Sequence, residues 1–211
     1  VIVHAAYLIN IGSSKLAVRE KSTESLKEEL ERCHALDIPF LVVHPGAHGD
    51  NNQVETLELI ARQLDYILEN NPGPTQILLE TMAGQGTNVC FTLEQLAYVR
   101  QSTKNKNRLG ICLDTCHVFA AGYDMRTPQQ YFQLWKDFDR IIGLEHLKVI
   151  HINDSKRELG TRVDRHEHIG KGKLGLEPFK LLFNDPRFFS IPKILETPKN
   201  DLLEDYNNMK K

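Results

Sequence analysis

Six short apolar runs in this 211-residue chain each end on a histidine, aspartate or glutamate, and they recur at nearly even spacing. The runs cover residues 1–4, 40–44, 76–80, 109–114, 147–151 and 191–196, and they end on His4, His44, Glu80, Asp114, His151 and Glu196. The intervals of 34 to 45 residues match one β/α unit: a buried strand, a loop, an amphipathic helix and a return turn. Parallel strands built this way bring their carboxyl ends to one rim, which in a β/α barrel is where chemistry is done. The spacing therefore predicts an α/β fold, a TIM (β/α)8-type barrel, with a polynuclear metal site on its top.

The segments between the runs support that reading. Residues 22–36 place Leu26, Leu30, Cys33 and Leu36 near a 3.6-residue period, and residues 53–70 place Leu57, Ile60, Leu64 and Ile67 on one face. Residues 93–102, 128–142, 178–184 and 201–210 complete the helical set, with Thr127 as N-cap before Pro128. Asn71-Pro72-Gly73-Pro74 stops one helix before the next strand. No linker or low-complexity tract divides the chain, so residues 1–211 are expected to form a single barrel domain. A closed barrel needs eight units, and only six are recognisable. Because the chain also starts inside a strand, the expectation is a barrel whose first two units are missing. An open six-stranded sheet would expose two edges.

Charge and cysteine content narrow the function classes. The formal net charge is −2, but three divalent ions would move it to +4 with the added charge at the rim, so the acidic balance does not exclude a phosphate substrate. Cys33, Cys90, Cys112 and Cys116 form no CxxC pair, which fits reduced thiols in an intracellular protein, cytoplasmic, or nuclear if the source is eukaryotic. No apolar stretch approaches the ~20 residues that span a bilayer.

The candidate ligands in order are His4, His44, Glu80, Asp114, His117, His151, Asp164, His166 and Glu196. Five imidazoles and four carboxylates without a thiolate favour zinc or a similar divalent ion in mixed N/O sites. Asp114 and His117 lie three apart where a strand turns into a helix, and Asp164 and His166 lie two apart in an extended loop. Nine ligands are too many for one tetrahedral ion and suit three, with a bridging carboxylate. A single strand-end histidine is more often a hydrogen-bonded core residue; six in series with two local pairs are not. His34, His48, His146 and His168 lack that placement and read as surface or supporting residues. The stretch 156–173 carries Lys156, Arg157, Arg162, Arg165, Lys171 and Lys173, which reads either as a solvated loop or as a phosphate-backbone surface. Gly170, Gly172 and Gly175 match no phosphate-loop pattern and read as turn-formers. Tyr7 and Leu8, following His4, could wedge into or stack on bases, or could plug the neighbouring loop.

The motifs HAAYLIN (4–10), GICLDTCH (110–117) and IHINDSK (150–156), with HPG (44–46), ETMAGQG (80–86), RVDRH (162–166) and ILET (194–197), resemble the endonuclease IV family of abasic-site DNA repair enzymes. The resemblance runs nearly end to end. It implies a TIM barrel with three zinc ions that cleaves double-stranded DNA 5′ to an abasic site, leaving a 3′-hydroxyl and a 5′-deoxyribose phosphate. It also implies His4, His44 and Glu80 on one zinc, Glu80 bridging to a second completed by Asp114, His151 and Glu196, and His117, Asp164 and His166 on the third. Tyr7 and Leu8 match a loop that enters DNA in that family. The family's first two β/α units, with an arginine-bearing DNA loop, have no counterpart here.

Two close ions bridged by Glu80 would acidify a shared water, so a metal-bound hydroxide rather than a side-chain nucleophile is expected. Arg162 and Arg165 are the expected phosphate contacts, and a monomer is the expected state. Two other functions fit parts of the pattern. One is a xylose-isomerase-like sugar isomerase, which leaves the 114/117 and 164/166 pairs in excess; the other is a catalytically incomplete zinc- or DNA-binding fragment.

Overall fold

The computed structural model describes residues 1–198 and 202–210, arranged as two compact units. The first comprises Val1–Thr81 and Thr87–Cys112, and the second Met82–Gly86 and Leu113–Lys211. Each of the six expected runs contains a strand. Among the described residues no helix is long and apolar enough to cross a membrane.

The first unit contains β1 (Val3–His4), α1 (Leu16–Ala35), β2 (Phe40–Val43), α2 (Gln53–Asn70), β3 (Gln76–Glu80), α3 (Leu93–Ser102) and most of β4 (Leu109–Asp114). The strands are parallel and pair in chain order, with Val3 opposite Leu41, Phe40 opposite Gln76 and Glu80 opposite Cys112. Parallel strands bury both faces and so read as continuous apolar runs rather than alternating ones. Leu41, Val42, Ile77, Leu78 and Leu79 are accordingly all buried. Helix α2 starts where the Asn52 side chain accepts a hydrogen bond from the Glu55 N–H, and its expected apolar face of Leu57, Ile60, Leu64 and Ile67 is buried. Helix α1 begins at Leu16, six residues before the periodicity indicated. Its first turns bury nothing and the buried series opens only at Ser22, so the pattern located the packed Leu26, Leu30 and Cys33 but not the helix start, and Leu36, expected on that face, is exposed just past the helix end.

At the amino-terminal end of these strands, Arg108 closes the return turns. Its guanidinium donates to the carbonyls of Asn71 (2.6 Å) and Thr75 (2.8 Å) and to Nε2 of His34 (3.1 Å). Arginine only donates, so the His34 ring must be neutral with its lone pair on Nε2.

The second unit carries the end of β4, then α4 (Thr115–Ala121), α5 (Pro128–Ile141), β5 (Leu147–His151), β6 (Asp154–Ser155), β7 (His166–Glu167), α6 (Glu177–Asn184), β8 (Lys193–Ile194) and α7 (Leu202–Met209). Strands β5 and β8 are parallel, with His151 opposite Ile194, while β6 and β7 form a small antiparallel pair. The expected strand over 191–196 shrinks to two residues, so Glu196 sits just past its end. Asp201, expected to open the last helix, lies outside the described residues. Thr127 caps α5 as the sequence indicates, and Trp135 packs 4.3 Å from Phe188 within a buried aromatic group that includes Tyr131 and Phe138.

The loop after β6 is organised by one buried carboxylate. Asp154 accepts from the backbone N–H groups of Ser155, Gly170, Gly172 and Leu174 at 2.7 to 3.0 Å. A Cβ at Gly172 would run into Asp154 Oδ1 and the Ser155 carbonyl, so the turn at 170–175 closes around the carboxylate only with glycine there.

The Arg108–His34 contact makes stability depend on pH. Burial, and then the charge of Arg108, hold the His34 pKa below its ordinary value, with Glu31 opposing. A depressed histidine pKa contributes stability above the unfolded value of about 6.5 that is lost as pH falls through the folded pKa. His34→Gln, which keeps an acceptor for Arg108 but cannot titrate, is expected to be less pH-sensitive. The wild type's advantage in urea midpoint over this variant, measured on metal-free protein, should shrink between pH 7.5 and pH 5.5; an advantage that grows on acidification would contradict this coupling.

Candidate metal centre

Strand ends and the turns that follow them supply the side chains. His4 and Glu80 terminate β1 and β3, and His44 follows β2 by one residue. In the first unit, Nε2 of His4 and Nε2 of His44 both face the same Glu80 oxygen, at 2.9 and 3.3 Å. Glu80 is fully buried, whereas the two imidazoles are about a quarter exposed, so the group opens on its histidine side.

Two further groups lie in the second unit. His117, in the first turn of α4, brings Nε2 to 3.2 Å from Asp164 Oδ2, and His166 Nε2 lies 3.3 Å from the other Asp164 oxygen. His151 Nδ1 lies 2.9 Å from Glu196 Oε2 and 3.9 Å from Asp114 Oδ2. Asp114 serves two purposes, because its Oδ1 caps α4 by accepting from the His117 N–H at 2.9 Å. The cap places His117 on the same side as Asp114, which is how a spacing of three becomes a convergent pair.

Backbone carbonyls decide which ring nitrogens are available. His4 Nδ1 lies 2.7 Å from the Ala5 carbonyl and His166 Nδ1 3.0 Å from the Glu196 carbonyl. A carbonyl only accepts, so each Nδ1 carries a proton and Nε2 is the ring nitrogen turned toward a carboxylate. Where that Nε2 is unprotonated, its lone pair against a carboxylate at about 3 Å favours a cation between them. His166 Nε2 is also buried without a hydrogen bond among the described residues. Four-coordinate zinc bonded at ~2.0–2.1 Å sets neighbouring donor atoms about 3.3 Å apart. The distances of 2.9 to 3.3 Å within the first and third groups match that edge, so the residues present fit a divalent ion.

Cys116 also lies within reach of Asp114 and His166. Burial, the main cause, pushes its thiol up to about 12, and its Sγ donates to the Arg165 carbonyl at 3.7 Å. A thiol held protonated is a poor ligand, and the mixed N/O set stands without it. The four histidines set aside on sequence grounds lie elsewhere: His48 Nδ1 pairs with the Asn51 carbonyl, His34 with Arg108, His146 with Glu145, and His168 with Asn208.

Tyr7 and Leu8 are 78% and 74% exposed, which leaves the plug reading without a neighbour for them to fill. The buried pair Ile9 and Ile11 anchors this tip from behind. Asn10 fastens it: its Oδ1 accepts from the N–H groups of Gly12 and Ala47, and its Nδ2 donates to the Ala47 carbonyl. Gly46, at φ +137°, leaves room for the Asn10 carbonyl oxygen that a Cβ would occupy. Arg162 and Arg165 are exposed. Arg162 adopts a left-handed backbone (φ +55°) while its N–H caps the Ala120 carbonyl at the end of α4. Arg165 folds back onto the Asp164 carbonyl at 2.6 Å and keeps its charge, while Lys173 pairs with Glu158 at 2.7 Å.

Sequence reasoning missed the supporting residues Asn10, Gln85, Asn153 and Asp154. Gln85 Oε1 accepts from the Asp164 N–H at 3.0 Å and holds that ligand's backbone. Their signal in the sequence is weak, because asparagine, aspartate and glutamine beside glycine read first as turn residues.

Known proteins share this arrangement to different depths. Residues 1–210 match the family described as the xylose isomerase-like TIM barrel. Among curated proteins, a probable endonuclease 4 of Geotalea daltonii is 49% identical over 202 residues, spanning 95% of this chain and 71% of that protein. Among solved structures, endonuclease IV from Thermus thermophilus superposes with a TM-score of 0.86 at 37% identity, over 99% of this chain and 72% of that one. A D-tagatose 3-epimerase-like protein superposes at 0.72 with 23% identity over 99% of this chain and 74% of its own, a likeness of fold alone.

If a cation sits between these donors, it must stabilise the fold. Chelator-stripped protein is expected to unfold at lower temperature and to recover on addition of zinc. Zinc at a hundredfold excess over Kd adds about 2.7 kcal/mol, or roughly 5–10 °C for a chain of this size. His166→Ala should lower the zinc content and shrink that recovery. Indifference of the melting temperature to chelator and zinc would remove the cation from the account.

Proposed function

The chain belongs to the endonuclease IV family of DNA-repair hydrolases, and from that premise we propose that it is a zinc-dependent nuclease cutting duplex DNA on the 5′ side of abasic sites. The products of this reading are a 3′-hydroxyl and a 5′-deoxyribose phosphate. One observation supports it above the others: imidazole nitrogens face carboxylates at zinc-edge distances, at the ends of β1 and β3 and in the loop that carries Asp164 and His166.

In this reading three zinc ions are held by nine side chains. His4, His44 and Glu80 would hold one; Asp114, His151 and Glu196, with Glu80, would hold a second; His117, Asp164 and His166 would hold the third. Zinc, when bound, supplies Lewis-acid neutralisation of a phosphodiester and acidifies water. Around it the chain's own groups bind and orient. The exposed Tyr7 and Leu8, on a tip braced by Asn10, offer an apolar wedge for the gap left by a missing base. Arg162 and Arg165 offer charge to the flanking phosphates. Selectivity then follows from shape, since unstacking a nucleotide costs a few kcal/mol and costs least where the base is already lost. The buried thiols, which form no disulfide among the described residues, fit an intracellular enzyme.

A sugar isomerase would need a two-ion, carboxylate-rich site and leaves the His117, Asp164 and His166 group without a task, and the epimerase likeness reaches only the fold.

The decisive experiment is a nicking assay on a duplex with one synthetic abasic site. Cleavage 5′ to the site, abolished by chelator and restored by zinc, is expected, and an intact abasic strand with zinc-loaded protein would overturn the proposal. Glu80→Gln is expected to lose at least about 10²-fold in turnover while retaining most DNA affinity, because charge is lost where two ions share a ligand. Near-normal cleavage by that variant would contradict the bridging role. Tyr7→Ala combined with Leu8→Ala should raise KM for abasic duplex with zinc content unchanged, and an unaltered KM would remove the wedge.

A further inference from the structure

Three ligand-bearing segments of the second unit meet at one residue that is not itself a ligand. Asn153 lies two residues beyond His151 and is completely buried. Its Oδ1 accepts from the Glu196 N–H at 2.9 Å, which fixes the orientation of the amide because only the oxygen can accept. The amide nitrogen is thereby turned toward Asp114, and Nδ2 donates to Asp114 Oδ2 at 2.6 Å, a short charge-assisted bond. The Asn153 backbone is held as firmly. Its N–H donates to Thr115 Oγ1 at 2.8 Å, and that hydroxyl donates to the Asn153 carbonyl at 2.7 Å. Thr115 is the residue after Asp114, so main chain and side chain of Asn153 together tie the end of β4 to the end of β5, while its Oδ1 holds the start of the segment carrying Glu196.

The consequence is geometric. The two oxygens of Asp114 have separate fixed partners, since Oδ1 caps α4 and Oδ2 takes the Asn153 amide. The carboxylate plane is therefore held by two different partners, with His151 and His166 facing Oδ2. Glu196 follows the short strand β8, where little ladder hydrogen bonding restrains it, and its backbone is restrained by Asn153 Oδ1 and by the carbonyl contact with His166 Nδ1. One amide thus sets the angle of one carboxylate and the position of another, with a histidine of the same group two residues away.

We propose that Asn153 is a positioning residue that sets the zinc-binding geometry of Asp114 and Glu196; the inference rests on reading those two side chains as zinc ligands. Hydrogen-bond partners that stand behind metal ligands typically control metal affinity by 10- to 100-fold. Asparagine is suited to the task because it donates to an anionic ligand and accepts from a backbone N–H at once. Aspartate of the same shape keeps the acceptor and withdraws the donor.

The test uses the full chain with Asn153→Asp and Asn153→Ala. Competition with a chromophoric chelator is expected to show one class of bound zinc weakened 10- to 100-fold in both variants. Cobalt substitution should shift the visible bands of that class, and kcat on abasic duplex should fall with KM near the wild-type value. Metal-free Asn153→Asp buries a second carboxylate beside Asp114 and should melt below the metal-free wild type, whereas metal-free Asn153→Ala, with the Thr115 contacts to its backbone untouched, should stay folded. Should the alanine variant fail to fold, the aspartate variant decides alone. Zinc held as tightly as in the wild type, or more tightly, with unshifted cobalt bands would overturn the inference. So would a collapse of the metal-free fold in both variants, which would make the role structural. A wild type that retains zinc but leaves abasic duplex intact would sink the nuclease reading, and the chelator competition would still judge Asn153. A wild type that binds no zinc would sink both.

Discussion

The confrontation of imidazole nitrogens with carboxylates is the interaction on which the rest of this structure turns. In an ordinary core such an arrangement is avoided where the nitrogen is unprotonated, because two electron-rich atoms about 3 Å apart repel and gain nothing from burial. Here it occurs at His4 with Glu80 and at His166 with Asp164. The ring orientations cannot relax by flipping, since Ala5 and Glu196 carbonyls hold the Nδ1 protons. The chain therefore holds carboxylates against imidazole nitrogens in places suited to positive charge.

That arrangement depends on a scaffold that is rigid where the ligands are and economical elsewhere. The buried carboxyl-terminal residues of β2, β3 and β4 anchor the strand ends. Past those ends the chain is fixed by polar side chains accepting backbone N–H groups: Asp114 at the start of α4, Asp154 beneath the glycine-rich turn, and Asn10 between two loops. Each is a short residue whose oxygen satisfies donors that would otherwise need secondary structure. Loops built this way can carry ligands as precisely placed as those on strands.

The division of labour between recognition and chemistry follows from exposure. Tyr7 and Leu8 project from a tip that begins three residues past His4, with Ile9 and Ile11 buried beneath. In the proposed function, a wedge this close to His4 would couple detection of a gap in DNA to the place where the phosphate is cut. The basic stretch is less uniformly cationic than its composition suggests, because Lys173 pairs with Glu158. Arg162 is held with a left-handed backbone against the end of α4.

Much of this was legible in the residues themselves. The six strand positions, the helical faces of α2 and α3, the Thr127 cap and the candidate ligand set follow from apolar periodicity and from side chains that recur at fixed places, both local properties of the chain. The start of α1 was not legible, because its first turns bury nothing and leave no periodic trace. Nor was the brevity of β8, whose ladder is only two residues long. Which of nine histidines face carboxylates, which ring nitrogen each presents, and the roles of Asn10, Gln85, Asn153 and Asp154 were decided only by tertiary structure. Those features depend on hydrogen bonds between residues up to 79 positions apart, as between Gln85 and Asp164, and no local pattern encodes a contact at that distance.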